Sequence, residues 1–206
     1  MAMDVAAVSA HGHGGAHHEE GMSRGMFGMV LFIASEVMLF GGLFAAYFFV
    51  RNQSSSWPPA GTEEELSIST AAILTAVLIS SSVAAHIGIL ALKSGNQALF
   101  KLGLGVACIL GTIFVGGQIY EWLTLMHDGL EATSNVYGST FYLITGFHGS
   151  HVIVGLLMLL LVFLRANWGD FTKTRHLFAD AAVLYWHFLD VVWVFVFTIV
   201  YISPKL

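Results

Sequence analysis

Long apolar runs alternate with short polar connections along the chain, at about residues 26–50, 70–92, 102–124, 139–164 and 181–203. Each meets the ~20 residues that an α-helix needs to cross the hydrocarbon layer of a bilayer. Inside lipid no water is present to bond an open backbone, so runs of this length close their hydrogen bonds within a helix. The ten-residue alternating segments of a membrane barrel are absent. The pattern therefore predicts an all-α fold, an integral membrane bundle of five transmembrane helices. The connections are a Ser- and Pro-containing loop with Trp57, Pro58, Pro59 and Glu63 to Glu65, a short basic turn, an acidic loop, and a basic loop around Lys173 and Arg175. Residues 1–25 are polar, with His11, His13, His17, His18, Glu19 and Glu20 among glycines and alanines, and contain no apolar core of signal-peptide type. They are expected to form a flexible His/Gly-rich cytoplasmic tail without an assigned function, and residues 26–206 to form one five-helix domain.

Composition agrees with this division. The 206 residues are 56% hydrophobic and 10% charged with a mean hydropathy of +0.76, whereas a soluble domain carries roughly a quarter charged residues. The polar pieces are too short for a separate soluble module, so any catalytic partner is expected on other chains. The net charge of -5 comes with no basic block, which argues against nucleic acid as a partner. The single cysteine, Cys108, lies in an apolar run and allows no internal disulfide.

Arg24, Lys93, Lys101, Arg165, Lys173 and Arg175 fall on the side of the membrane that holds the N-terminus, and only Arg51 and Lys205 on the other. The excess of positive residues predicts the N-terminus inside and, after an odd number of spans, the C-terminus outside. Trp57, Tyr120, Trp122, Tyr137 and Tyr201 then fall near the outer interface, where an aromatic belt is expected. Gly41 with Ala45, Gly42 with Ala46, and Thr112 with Gly116 repeat at four-residue spacing and are expected as packing seams, within this chain or against another.

Ionisable groups at bilayer depth are costly and need a partner or a wet cavity. The runs contain Glu36, His86, Gln118, Glu121, His148, His151, His187 and Asp190. With about 1.5 Å of rise per residue and alternating helix direction, Glu36, His151 and Asp190 come out within roughly 6 Å of one another in height. His86 and His187 share a lower layer. His148 with His151, and His187 with Asp190, are three residues apart and lie along one helix face. A buried carboxylate beside an imidazole can share a proton, so Glu36 is expected to be protonated or bonded to a histidine. The layer fits proton handling or interhelical bonding that fixes packing. Its histidines and carboxylates are too sparse for an expected metal site, and no nucleophile with a base and oxyanion motif accompanies them.

Three segments carry a specific resemblance. YWHFLDVVWVFVFTIVY from Tyr185 to Tyr201, GFHGSHVIVG from Gly146 to Gly155, and SEVMLFGGLFAAYFF from Ser35 closely resemble subunit III of haem-copper terminal oxidases. GQIYEW from Gly117 and YGSTFYLITGFHG from Tyr137 extend the match in order through about residues 26–203, leaving the N-terminal tail outside it. The chain is similar to the short five-helix bacterial form, without the two helices that precede the glutamate-bearing helix in longer members.

The resemblance implies a multi-pass subunit of the bacterial plasma membrane with no haem or copper of its own, in a complex that reduces oxygen and pumps protons. Those redox centres would sit in subunits I and II. A small subunit IV and a respiratory supercomplex are further partners it leaves open. Phospholipids bound among the helices are a family feature, though no lipid-binding residues are assigned here. The glutamate matching Glu36 is a membrane-buried carboxyl in the family, and the subunit supports proton uptake and protects the catalytic subunit during turnover. Glu36 and His151 would be the principal polar pair, with His148, His187 and Asp190 beside them and His86 below. Cytochrome c is the expected electron donor, with a quinol as the alternative. A stand-alone proton-coupled transporter and an intramembrane metalloenzyme on His86, His148, His151 and His187 are the competing classes. The runs lack the internal repeats and broken helices that transporters often show.

Overall fold

The computed structural model describes residues 23–59 and 67–205. The expected tail therefore falls almost wholly outside the described residues, as do Glu63 to Glu65. The helices are α1 (Arg24–Gln53), α2 (Ile68–Ser94), α3 (Gln97–His127), α4 (Val136–Asn167) and α5 (Leu177–Val196). α5 continues through a π-helical segment, Phe197–Ile202, into a 3-10 turn, Ser203–Lys205. Every one of the five is long and apolar enough to cross a membrane, as the run pattern predicted. They extend beyond the apolar runs because polar residues such as Arg24, Asn52 and Gln53 continue the helix; a 30-residue helix is about 45 Å long and outreaches the hydrocarbon layer.

Local chemistry sets the ends. Ser23, Ser67, Asn96 and Asn135 cap α1 to α4, each accepting a first-turn backbone N–H. Gly95 ends α2 at φ 91, a left-handed conformation that suits glycine. Its N–H bonds Leu92 O at 3.0 Å and that of Asn96 bonds Ala91 O at 2.8 Å, so α3 starts within two residues of the end of α2.

α2 and α3 form the closest pair. A Cβ on Gly103 would lie 2.6 Å from Ala84 O and 2.9 Å from Gly88 Cα, so the two backbones touch where both residues lack side chains. α5 is the central helix. Its Trp186 ring fits over Gly111 of α3 and Gly155 of α4, where a Cβ would come within 2.9 Å of the indole at either position. Two indole N–H groups tie α5 to α2: Trp186 donates to Ser81 Oγ at 3.0 Å and Trp193 to Thr75 Oγ1 at 2.8 Å. α1 is peripheral and rests on α4 and α5 through one face, Ile33, Glu36, Phe40, Phe44 and Tyr47, at helical spacing.

Packing within the chain narrows two expectations. Gly41, Gly42, Ala45, Ala46, Thr112 and Gly116 are all exposed, and a Cβ on Gly41, Gly42 or Gly116 meets nothing within 4 Å. The seams inside this chain run through Gly88, Gly103, Gly111 and Gly155, so of the two expected alternatives only packing against another chain is left for the Gly41, Gly42 and Gly116 faces. The aromatic belt is also thinner than expected. Tyr120 is exposed, but Tyr137 and Tyr201 are fully buried and Trp57 is half-buried. The hydroxyl of Tyr137 donates to Val200 O at 2.9 Å, and Trp57 Nε1 donates to Tyr47 Oη at 2.9 Å, so these rings join elements together.

Candidate functional site

Glu36 is the polar member of the inward face of α1, and on α4 it meets His151. His151 Nε2 lies 2.8 Å from Glu36 Oε2, and His151 Nδ1 lies 2.6 Å from Phe147 O. A carbonyl oxygen only accepts, so Nδ1 carries a hydrogen and Nε2 is left to face the carboxyl. One proton then lies between Glu36 and His151, on either atom, and the pair stays neutral as a unit. Both side chains are largely covered, and the Phe40 ring meets the imidazole edge-on at 5.2 Å. Exclusion of water strengthens such a bond and makes an isolated charge there costly.

His86 of α2 and His187 of α5 form a second group nearer the N-terminal side of the membrane, with ring centroids 5.6 Å apart. His187 Nδ1 is 3.7 Å from Asp190 Oδ2, an ion-pair distance too long for a hydrogen bond. Below them Asp180 bridges Lys93 at 3.0 Å and His176 at 3.3 Å. His86, His187, Lys93 and Asp180 line one open groove at this end of the bundle. The height estimate grouped Glu36, His151 and Asp190, and His86 with His187; the structure bonds Glu36 to His151, while Asp190 associates with His187.

His148 stands apart from both groups. It is buried, and its ring packs against Phe40, Phe114 and Trp193 at 5.0 to 6.4 Å. Neither ring nitrogen has a hydrogen-bond partner among the described residues. It shares a helix face with His151 but not its proton.

A further cluster lies toward the C-terminal side. Gln118 and Glu121, three residues apart on α3, are both buried. Tyr201, on the π-helical segment, donates its O–H to Glu121 Oε2 at 2.9 Å, and Gln118 Nε2 donates to the same oxygen at 3.0 Å. The spacing of Gln118 and Glu121 was legible, but their partner was assigned to the interface belt. Tyr201 lies eight residues beyond Trp193 with a π-helical segment between them, so regular helical spacing carried no signal for its contact with Glu121.

Among the described residues no three His, Cys, Asp or Glu side chains converge to hold a metal ion.

Comparison with known proteins gives a consistent answer. The family model described as cytochrome c oxidase subunit III matches residues 2–204, and so takes in the N-terminal segment that the sequence resemblance left out. Cytochrome c oxidase subunit 3 of Thermostichus vulcanus is 41% identical over 190 residues, 92% of each chain. The protein of that name from Synechocystis sp. is 39% identical over 203 residues, covering 98% of this chain and 85% of its own length. Probable cytochrome c oxidase subunit 3 of Nocardia farcinica is 39% identical over 175 residues, 84% of this chain and 85% of its own.

Proposed function

Because the chain belongs to the cytochrome c oxidase subunit III family, we propose that it serves a proton-pumping haem-copper oxidase of a bacterial cell membrane as a subunit without redox chemistry. It docks on the catalytic subunits I and II, stabilises them, and supports proton uptake, with cytochrome c as the electron donor. The N-terminal side of the bundle faces the cytoplasm, in keeping with six of the eight lysines and arginines on that side. Haem and copper supply the oxygen chemistry from the partner subunits.

The subunit role is carried by the family match, and the support of proton uptake by the hydrogen bond between Glu36 and His151, which joins the membrane-spanning helices α1 and α4. Phe147 O fixes the imidazole tautomer, Phe40 covers the ring, and the shared proton removes the need for a bare charge in lipid. The pair therefore holds a proton at one height in the membrane without consuming or releasing a second. His86, His187, Asp180 and Lys93 offer protonatable groups between that height and the cytoplasmic surface. Lipid binding is supported by an apolar groove between α1 and α5, lined by Val37, Gly41, Phe44, Val191 and Phe195.

The test is gentle solubilisation of the native membrane with this chain as the handle. Haem-bearing and copper-binding chains should co-purify, and the preparation should reduce oxygen with reduced cytochrome c. Oxidation of a quinol in place of cytochrome c would overturn the donor, and purification free of any haem-bearing chain would overturn the subunit role.

A further inference from the structure

The cluster of Gln118, Glu121 and Tyr201 is not used by the function above and is separated from Glu36 and His151 by aromatic rings. Phe114 and Trp193 stack edge-on at 4.9 Å between His148 and this cluster, and Phe141 meets Tyr201 at 5.5 Å. We propose that Gln118, Glu121 and Tyr201 form a second proton-holding site, in the half of the membrane nearer the C-terminus, in which Glu121 resides as a neutral carboxylic acid.

The hydrogen-bond inventory leads there. Glu121 is 5% exposed and Gln118 4%, and Glu121 takes part in none of the ion pairs among the described residues. A carboxylate so placed would be a buried charge with no cation, an expensive arrangement in lipid. Its two oxygens are also treated unequally. Oε2 receives two donors, Tyr201 O–H and Gln118 N–H, whereas Glu121 Oε1 and Gln118 Oε1 are buried and receive none from the described residues. A carboxylate shares its charge over both oxygens and would leave one of them bare. A carboxylic acid resolves both vacancies: protonated Oε1 becomes a donor, and Gln118 Oε1 on the same helix face is the acceptor still unfilled. Acid and amide then pair through two antiparallel hydrogen bonds, one N–H to Oε2 and one O–H to the amide oxygen.

The backbone is shaped for this contact. The π-helical turn at Phe197–Ile202 rotates Tyr201 inward to reach α3, and Tyr137 of α4 holds the turn by donating to Val200 O. Such turns often mark sites where a side chain must be aimed away from regular helical register. The titratable groups nearest the site are the hydroxyls of Tyr137 and Tyr201; Arg51, at the same end of the bundle, is occupied by Ser203. The ligand of the site is thus a single proton, retained by Glu121 and released only by creating a carboxylate that Tyr201 and Gln118 would bond through one oxygen.

The experiment is infrared spectroscopy of the assembled membrane complex, wild type against Glu121→Gln, in water and in deuterium oxide, with Glu36→Gln as the control for the other buried carboxyl. Loss of one band in the protonated-carboxyl C=O region in Glu121→Gln, with normal assembly, is the expected result, since the amide can donate to Gln118 and accept from Tyr201. Tyr201→Phe should shift that band to higher frequency without abolishing it, because the acid loses one of two donors to its carbonyl oxygen. A Glu121→Gln complex that fails to assemble, an unchanged carboxyl region, or loss of the band in Tyr201→Phe would each overturn the proposal.

Discussion

His151 Nε2 and Glu36 Oε2 lie 2.8 Å apart although 115 residues separate them in the chain. The bond ties the peripheral helix α1 to α4, and the second ring nitrogen is already committed to Phe147 O at 2.6 Å. The histidine therefore presents Glu36 with a nitrogen that will accept a hydrogen bond from an acid or an amide alike.

Glu36→Gln should for this reason preserve assembly and the haem spectra of the complex, with a stability change within about 1 kcal/mol, while slowing proton uptake or shortening endurance under turnover by a few-fold. Glu36→Leu removes the partner altogether and leaves Nε2 unbonded in a covered site, which should cost about 1–3 kcal/mol and loosen α1. Thermal denaturation and proton-uptake kinetics of the two variants separate a proton role from a purely structural one. Failure of Glu36→Gln to assemble would make the carboxyl a structural requirement.

Glycine positions give opposite expectations. Gly103→Ala drives a methyl into the backbone of α2 at Ala84 O and Gly88 Cα, so the helices must separate and stability should fall by about 1–3 kcal/mol. Gly41→Ala adds a methyl where nothing lies within 4 Å, and should leave the melting temperature of the isolated chain unchanged. If Gly41→Ala loosens retention of the chain in the complex without affecting its own melting, that face of α1 meets another subunit.

The two indole bonds from α5 to α2 make a third case. Thr75 donates its hydroxyl to Ala71 O at 2.7 Å and accepts from Trp193 Nε1 at 2.8 Å, so one small side chain serves both helices. Thr75→Val retains the shape and removes the acceptor, leaving a buried indole N–H unpaired. A loss of about 1–3 kcal/mol is expected, measurable as a lower melting temperature and a shift in tryptophan fluorescence.

Five crossings could be read from the chain because lipid imposes a length and a polarity on each span, and those are properties of sequence alone. The common heights of Glu36 with His151 and of His86 with His187 were legible for the same reason, since rise per residue converts position into depth. Rotation about each helix axis was not. It decides that Gly103 and Gly88 touch while Gly41 and Gly42 face outward, that His148 packs among rings while His151 reaches a carboxyl, and that Tyr201 turns inward to Glu121. In a span that is apolar all round, the hydrophobic pattern has too little contrast to fix that rotation, and packing against neighbours sets it instead. The π-helical turn adds a further rotation that regular helical spacing does not anticipate.

Metal analysis of the gently solubilised complex, followed by separation of this chain from its partners and analysis again, is the decisive measurement. Iron and copper should accompany the complex and remain wholly with the partner chains, leaving this chain without visible absorbance. Stoichiometric iron or copper retained on the isolated chain would contradict a supporting subunit whose polar side chains hold protons.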